Sequence, residues 1–427
     1  MSETMGTIWL GLTLNCCRCH DHKYDPLTNR EYYQLFAFFN QTPVTGGGGD
    51  PQTAPVLATP SEQQTRQLAS INDRIASVDA EMRRLMSDPE SEPARQRLQQ
   101  RRDSLVQRRK EIEKDFPKVM VMADMAAPRT TFMLERGLYN KPTEEVGAAF
   151  PAFLPAPPDS AGANRLTLAR WLVSDANPLT PRVTVNRFWQ QVFGIGLVKT
   201  TEDFGAQGEI PIHLDLLNWL AAEFRDSGWN VKHLMRLIVT SHTYRQSSKI
   251  SNPQTLETDP DNRLLARGAR YRMPAWMLRD QALAISGLLS SVSGGPAVNS
   301  NQPAGVWEEA SFGKKTYTQD SGEKLYRRSL YTFWRRIIAP TMFFDNASRQ
   351  TCTVRSGRTN TPLHALATLN DVVYVEAART LAEQVLTSGV GSDRQRIDLV
   401  LNRAVGRPAT KPESNVLLAG LVRSRRQ

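Results

Sequence analysis

Cys16, Cys19 and His20, in the run Asn15-Cys16-Cys17-Arg18-Cys19-His20-Asp21-His22-Lys23, are the densest chemistry in the chain. Their Cys-x-x-Cys-His spacing is the one that c-type haem attachment requires. Two thiols add across the two vinyl groups of the porphyrin, and the next residue offers an imidazole to the iron. In that role His20 is the proximal ligand, and its second ring nitrogen needs a backbone carbonyl or a carboxylate to fix the tautomer. For the sixth position the candidates are Met120, Met122, Met125, Met133 and His213, or an open coordination site. An open site permits catalysis, whereas a filled one restricts the haem to electron transfer. The same stretch also supplies a zinc-type set of Cys16, Cys19, His20 and His22, although two histidines so close together strain the turn when both reach one ion. Reduced, unmetallated thiols beside a capping histidine are the remaining possibility.

A second polar group comprises Arg182, Asn186, Arg187 and Gln190, followed by Asp203, Gly205 and His213. Arg182, Asn186 and Gln190 are spaced by four and share one helical stripe. The glycine-punctuated loop that follows could bring Asp203 and His213 toward that stripe, forming a polar cleft or a metal-dependent hydrolytic site. The plainer expectation is a lattice of arginines and carboxylates that locks helices together. Ser241 to Gln246 reads in the same way, as a helix end rich in donors. Cys352 with His364 nearby is a bare nucleophile-and-base pairing with no further support.

These residues need a scaffold, and the sequence reads as mainly α. Thr28-Asn29-Arg30-Glu31 is a capping box. Tyr32, Leu35, Phe36 and Phe39 follow it at helical spacing and form an aromatic face that could wall a haem or simply join a core. Gly46 to Gly49 make a flexible connection. Residues 61–87 and 93–115 carry apolar residues at three-, four- and seven-residue steps, broken at Ser87-Asp88-Pro89-Glu90, and predict an antiparallel helical hairpin of coiled-coil type. Val119–Met122 and Thr130–Leu134 read as strands before a proline-rich linker. From residue 163 helices dominate, with a loop over 291–325, strand character at Ser329–Phe333, and helices again from Thr361, where Thr361 is a candidate N-cap and Pro362 sits at N1. The expected organisation is therefore residues 1–45 around the CxxCH motif, 61–115 as a hairpin, 118–158 as a small β segment, and 163–427 as a helical domain.

Composition narrows the function classes. Of 427 residues, 53 are Lys or Arg against 43 Asp or Glu, a net charge of +10. That balance suits acidic partners such as an anionic polysaccharide or protein. No block of five or six basic residues marks a specific nucleic-acid site, and the spread of charge describes a solvated basic surface. Four cysteines, three of them within four residues, argue for a cofactor or metal rather than a disulfide framework. Cys17 and Cys352 are left over, and they can pair only if the fold brings them together. No run of 18 apolar residues is present, so no transmembrane segment is expected. The first fifteen residues lack the basic start and cleavage site of a signal peptide. Covalent haem attachment takes place outside the bacterial cytoplasmic membrane, so either the chain is a fragment with its export signal upstream or the motif carries no haem.

The run GLTLNCCRCHDHKYDPLTNREYYQLFAFFNQT resembles the end of the planctomycete cytochrome-c-like domain. RLTLARWLVSDANPLTPRVTVNRFWQQVFGIGLVKTTEDFGAQGEIPIHLDLLNWLAAEF, TSHTYRQSS, DPDNRLLARG, CTVRSGRTNTPLHALATLND and NRAVGRPAT resemble the large C-terminal domain of unknown function that follows it. The resemblance implies a mostly helical fold, a periplasmic or cell-surface location for the parent protein, and a haem-type motif at Cys16, Cys19 and His20. With the motif it gives the expectation of a redox protein that meets a redox partner, and a non-redox scaffold binding anionic polysaccharide or protein is the alternative.

Overall fold

The computed structural model describes the chain except residues 44–54, 86–90, 158–163, 251, 336–337, 346–352, 356 and 427. The Gly46–Gly49 connection, the helix break at Ser87–Glu90 and Cys352 lie outside the described residues. About 52% of the chain is helical and the sheets among the described residues are two small two-stranded ones, so the fold is mainly α, as expected.

In chain order the elements are α1 (Ser2–Met5), α2 (Asn29–Asn40), β1 (Val56–Ala58), α3 (Glu62–Arg84), α4 (Glu92–Lys114), β2 (Lys118–Met120), β3 (Thr131–Leu134) and β4 (Pro142–Val146). They continue with α5 (Arg165–Leu172), α6 (Leu179–Phe193), α7 (Leu214–Asp226), α8 (Val231–Thr240), α9 (Pro253–Thr258), α10 (Ala275–Ile285) and α11 (Val306–Ala310). The last are α12 (Pro362–Asn370), α13 (Val372–Thr387), α14 (Asp393–Val405) and α15 (Lys411–Arg426). Two compact units result, one of Phe39–Thr131 and one of Met1–Phe38 with Phe132–Gln427.

The smaller unit is built on the α3–α4 hairpin. Ser61 and Gln64 form a capping box at the start of α3, which satisfies amides that a helix N-terminus otherwise leaves open. Ile71, Ile75 and Val78 of α3 bury against Leu98 and Leu105 of α4. The helices run antiparallel: Gln64, near the start of α3, donates to the Asp115 carbonyl just beyond α4 at 3.3 Å, and Arg102 meets Asp79 midway at 2.7 Å. β1 and β2 pair antiparallel with Val56 opposite Met120. The expected strands at 119–122 and 130–134 do not pair with each other. β2 joins β1 and β3 joins β4, and β3 straddles the boundary between the units.

The larger unit has several packing centres. α6, α7 and α8 share a core of Trp189, Phe193, Leu217, Leu220, Phe224, Leu234 and Ile238. Truncating a fully buried residue such as Leu234 would cost about 2–5 kcal/mol. α10 and α13 bury Leu283 against Val373 and Tyr374. The segment Ser329–Tyr331 is a 3-10 turn rather than a strand. Asp280 holds the Ser329 amide at 2.9 Å and its hydroxyl at 2.7 Å, and the buried Arg279 donates to the carbonyls of Leu325 and Arg327 at 2.8 and 2.9 Å. These side-chain bonds fix a turn that β propensity alone would have extended. Thr361 occupies the N-cap of α12 with Pro362 at N1, but its side chain makes no capping bond.

Candidate functional site

The CxxCH motif occupies a 3-10 turn over Leu14–Arg18 followed by an irregular loop to Thr28. Cys16 and Cys19 are free, exposed thiols, and Cys17 between them is buried. The amides of Cys19 and His20 both point back to the Cys16 carbonyl, at 3.2 and 3.4 Å, so one turn gathers the two outward thiols and the imidazole. His20 is exposed. Its Nδ1 donates to the Asp21 carbonyl at 2.6 Å, which leaves the Nε2 lone pair without a partner among the described residues. The Cys19 thiol donates to the Arg136 carbonyl at 3.3 Å.

The alternate residues of the same run are structural. The Cys17 thiol contacts the Leu27 carbonyl at 3.6 Å, and burial, with the neighbouring Cys16, pushes its pKa up to about 12. His22 turns inward: Nδ1 accepts from the Asp25 amide at 2.8 Å and Nε2 lies 3.4 Å from the Thr13 hydroxyl. Both ring nitrogens of His22 are therefore engaged, and the tetrahedral set Cys16, Cys19, His20 and His22 does not assemble. Among the described residues no group of three His, Cys, Asp or Glu side chains is placed to hold a metal ion. The aromatic face of α2 is divided: Tyr32 and Leu35 join the core, Phe39 is half-buried and Phe36 is exposed. Phe38 is buried as well, stacked through Phe150 to Trp171 at centroid spacings of 5.2 and 5.0 Å.

The turn is fastened to the helical region by its own backbone and by Asp25. Arg187 on α6 donates to the carbonyls of Thr7, at 2.7 Å, and Ile8. The Phe204 amide donates to the Gly11 carbonyl at 2.7 Å. Asp25 Oδ1 accepts from the Ala206 amide at 2.6 Å. Gly205 is required by this close approach, because a Cβ there would lie 2.4 Å from Asp25 Oδ2.

The second polar group serves the same scaffold. Arg182 donates to Asn218 at 2.8 Å and to the Pro178 carbonyl at 2.6 Å. Asn186, fully buried, exchanges two bonds of 2.9 Å with the backbone of Val198. Asp203 accepts from the Gly205 amide at 2.8 Å, and His213 Nε2 meets the Arg263 carbonyl at 3.0 Å. Gln190 accepts from the Thr201 hydroxyl at 3.1 Å, so the locks run mostly to backbone atoms and neutral side chains, and the arginine–carboxylate pairing in this region is Arg263 with Glu209 at 2.9 Å. Of the candidates for a sixth haem ligand, Met120, Met122 and Met125 belong to the smaller unit and Met133 to the larger one.

A model of the PSD1 family, a protein of unknown function (DUF1553), matches residues 164–421. The chain belongs to the PSD1 family. Residues 1–44 match PSCyt2, also a protein of unknown function (DUF1549), and both are the planctomycete-associated domains that the sequence resembles. No curated protein and no solved structure matches the chain.

The PSD1 region contains a feature that the sequence reading passed over. A cavity of about 530 Å³ is lined by Arg263, Arg267, Arg270, Arg272, Arg355 and Arg358, beside walls from α6 and the loop that carries Ile212 and His213. Arg263 donates to the carbonyls of Gly196 and Leu197 at 2.7 and 3.1 Å and to Glu209 at 2.9 Å. Arg267 donates to the carbonyls of Asp259 and Pro260. Arg272 bonds Asn360 and lies over the Phe344 ring. Arg358 sits 4.9 Å from the centre of the Tyr271 ring, and Tyr271 packs against Gly194, where a Cβ would come within 2.7 Å. Burial holds the Arg358 guanidinium below its ordinary pKa, with Tyr271 opposing the shift and the Arg355 charge adding to it. A signal was present in the sequence: four arginines fall within ten residues, 263–272.

Nearby, His364 is buried and stacks on Phe344 at 4.1 Å, with Nε2 3.6 Å from Asp345. Its sequence partner Cys352 lies outside the described residues. Among those residues no helix is long and apolar enough to cross a membrane.

Proposed function

We propose that the chain carries a covalent c-type haem on Cys16 and Cys19 with His20 as axial ligand, and that it works as an electron-transfer protein of the cell envelope. The observation that carries this reading is the division of labour within one turn. Both thiols of the motif are free and exposed, and His20 has Nδ1 fixed on the Asp21 carbonyl at 2.6 Å with Nε2 left over. That is the tautomer an iron ligand needs, held by the kind of backbone acceptor that orients metal-bound histidines. The intervening polar residues, Cys17, His22 and Asp25, are turned to structural use. A bound haem supplies one-electron chemistry at a potential set by its axial ligands and surroundings. The protein's own contribution is to present the two thiols and the imidazole from one turn, with Arg187 of α6 holding the Thr7 and Ile8 carbonyls of the segment that precedes it.

Maturation also has a local consequence. A thioether at Cys19 lacks the proton that the free thiol gives to the Arg136 carbonyl, so the Glu135–Gly137 turn is released from that bond. The test is export of the chain through a cytochrome c maturation system, followed by absorption spectra and peptide mass. A Soret band with a haem-sized mass increase on the peptide containing Cys16 and Cys19 supports the reading. An exported, folded protein with neither would end it.

A further inference from the structure

We propose that the arginine-lined cavity of the PSD1 region binds a small organic polyoxyanion, a ligand bearing two or more sulfate, phosphate or carboxylate groups. Its volume of about 530 Å³ lies within the range of about 300–1,000 Å³ usual for small-molecule sites. Arg270, Arg355 and Arg358 line it, and none of them has a hydrogen-bonded or ion-paired acceptor among the described residues. Asp261 is the one carboxylate among the lining residues, and Lys199 already holds it at 2.8 Å.

Asp261 lies within the field of Lys199, Arg263 and Arg355 together, so a single carboxylate faces several cations. The guanidinium groups of Arg270, Arg355 and Arg358 around one cavity repel one another, and an anion placed between them reverses the sign of that interaction. Guanidinium forks match the paired oxygens of sulfate, phosphate and carboxylate. The other three arginines build the walls. Arg263 and Arg267 pin the loop backbone and Arg272 bonds Asn360, so little ordering remains to be done when a ligand enters. Arg263 Nε, Arg267 Nη1 and Arg272 Nε are also buried without an acceptor, which leaves the lining with more donors than the protein satisfies. Ile212 and Leu256, both partly exposed on the wall, favour a ligand with an apolar portion over a bare inorganic ion.

The experiment is calorimetric titration of the full chain with inorganic sulfate, inorganic phosphate, a sulfated disaccharide, a uronic-acid disaccharide and a sugar bisphosphate, against chloride at matched ionic strength. Binding of at least one organic probe is expected, and the tightest one identifies the oxyanion. The double variant Arg270→Ala with Arg358→Ala should weaken it about tenfold or more, the loss of charge-assisted hydrogen bonds. Arg74→Ala, an exposed arginine of the α3–α4 hairpin, should leave it unchanged. Circular dichroism checks the fold of each variant, and Arg270→Glu alone, at an exposed and unpartnered position, should also suppress binding. No organic probe binding above the chloride control overturns the proposal, as does a loss on Arg74→Ala equal to that of the double variant.

Discussion

The CxxCH turn and the arginine cavity are opposite solutions to positioning reactive side chains. In the turn, everything that matters lies within about ten residues. Cys16, Cys19 and His20 face outward because Cys17, His22 and Asp25 between and after them are bonded inward. In the cavity, the free cations come from two stretches some eighty-five residues apart, around Arg270 and around Arg355 and Arg358, and α6 and the loop before α7 supply the walls. Local hydrogen bonds sort the first region into reactive and structural residues, and tertiary packing does so in the second. The two regions share supports. α6 carries both Arg187, which holds the carbonyls before the turn, and Trp189 and Phe193, which back the cavity. The loop from Phe204 to His213 touches Asp25 at one end and lines the cavity at the other.

The largest effect should come from Cys16→Ala with Cys19→Ala, which should abolish covalent haem on the exported protein, seen as loss of the Soret band and of the peptide mass increase. Retained covalent haem would place attachment elsewhere and dissolve the contrast. Next, Arg187→Ala removes charge-assisted bonds to two carbonyls and should lower stability by about 1.5–3 kcal/mol in urea unfolding. A neutral result would mean that the turn does not depend on α6. The division inside the motif is sharpened by comparing histidines in haem-free protein. His22→Ala leaves the Asp25 amide without its acceptor and should cost about 1–3 kcal/mol, whereas His20→Ala, at an exposed site, should stay within about 0.5 kcal/mol. Equal losses would show that both histidines are structural. Gly205→Ala introduces a Cβ 2.4 Å from Asp25 Oδ2 and should cost about 1–3 kcal/mol as overpacking, measurable by thermal unfolding. Smallest of all, Arg270→Ala should leave unfolding within about 0.5 kcal/mol, since that exposed side chain makes no hydrogen bond among the described residues. A large loss there would move Arg270 into the scaffold beside Arg263.

The helical class, the capping box of Thr28 and Glu31, the hairpin and the four helices from α5 to α8 could be read from periodicity and caps, because those signals act within one or two turns of chain. The Thr28 amide donates to the Glu31 carboxylate at 2.8 Å and the Glu31 amide to the Thr28 hydroxyl at 3.2 Å, as the local pattern dictates. Ser329–Tyr331 has strand propensity yet forms a 3-10 turn because Asp280 and Arg279, some fifty residues away, decide its backbone. For Arg182, Asn186, Asp203 and His213 a helix-locking lattice and a polar cleft were both open readings, because sequence shows polar atoms without showing what satisfies them. Their partners, among them Asn218, Val198 and the Arg263 carbonyl, are tertiary neighbours.

By itself the sequence determined that two thiols and an imidazole fall at Cys-x-x-Cys-His spacing, since that spacing is a property of five consecutive residues, and it carried the resemblance to the two planctomycete-associated domains. Only the tertiary structure decided which histidine of that turn is outward and which inward, because Thr13 and the Asp25 amide capture His22 while the His20 ring, among the described residues, bonds its neighbour's carbonyl alone. It alone decided which of the many arginines gather into a cavity. A net charge counts cations, but their neutralisation depends on acceptors brought near by packing, and Arg270, Arg355 and Arg358 line one cavity without a hydrogen-bonded acceptor among the described residues.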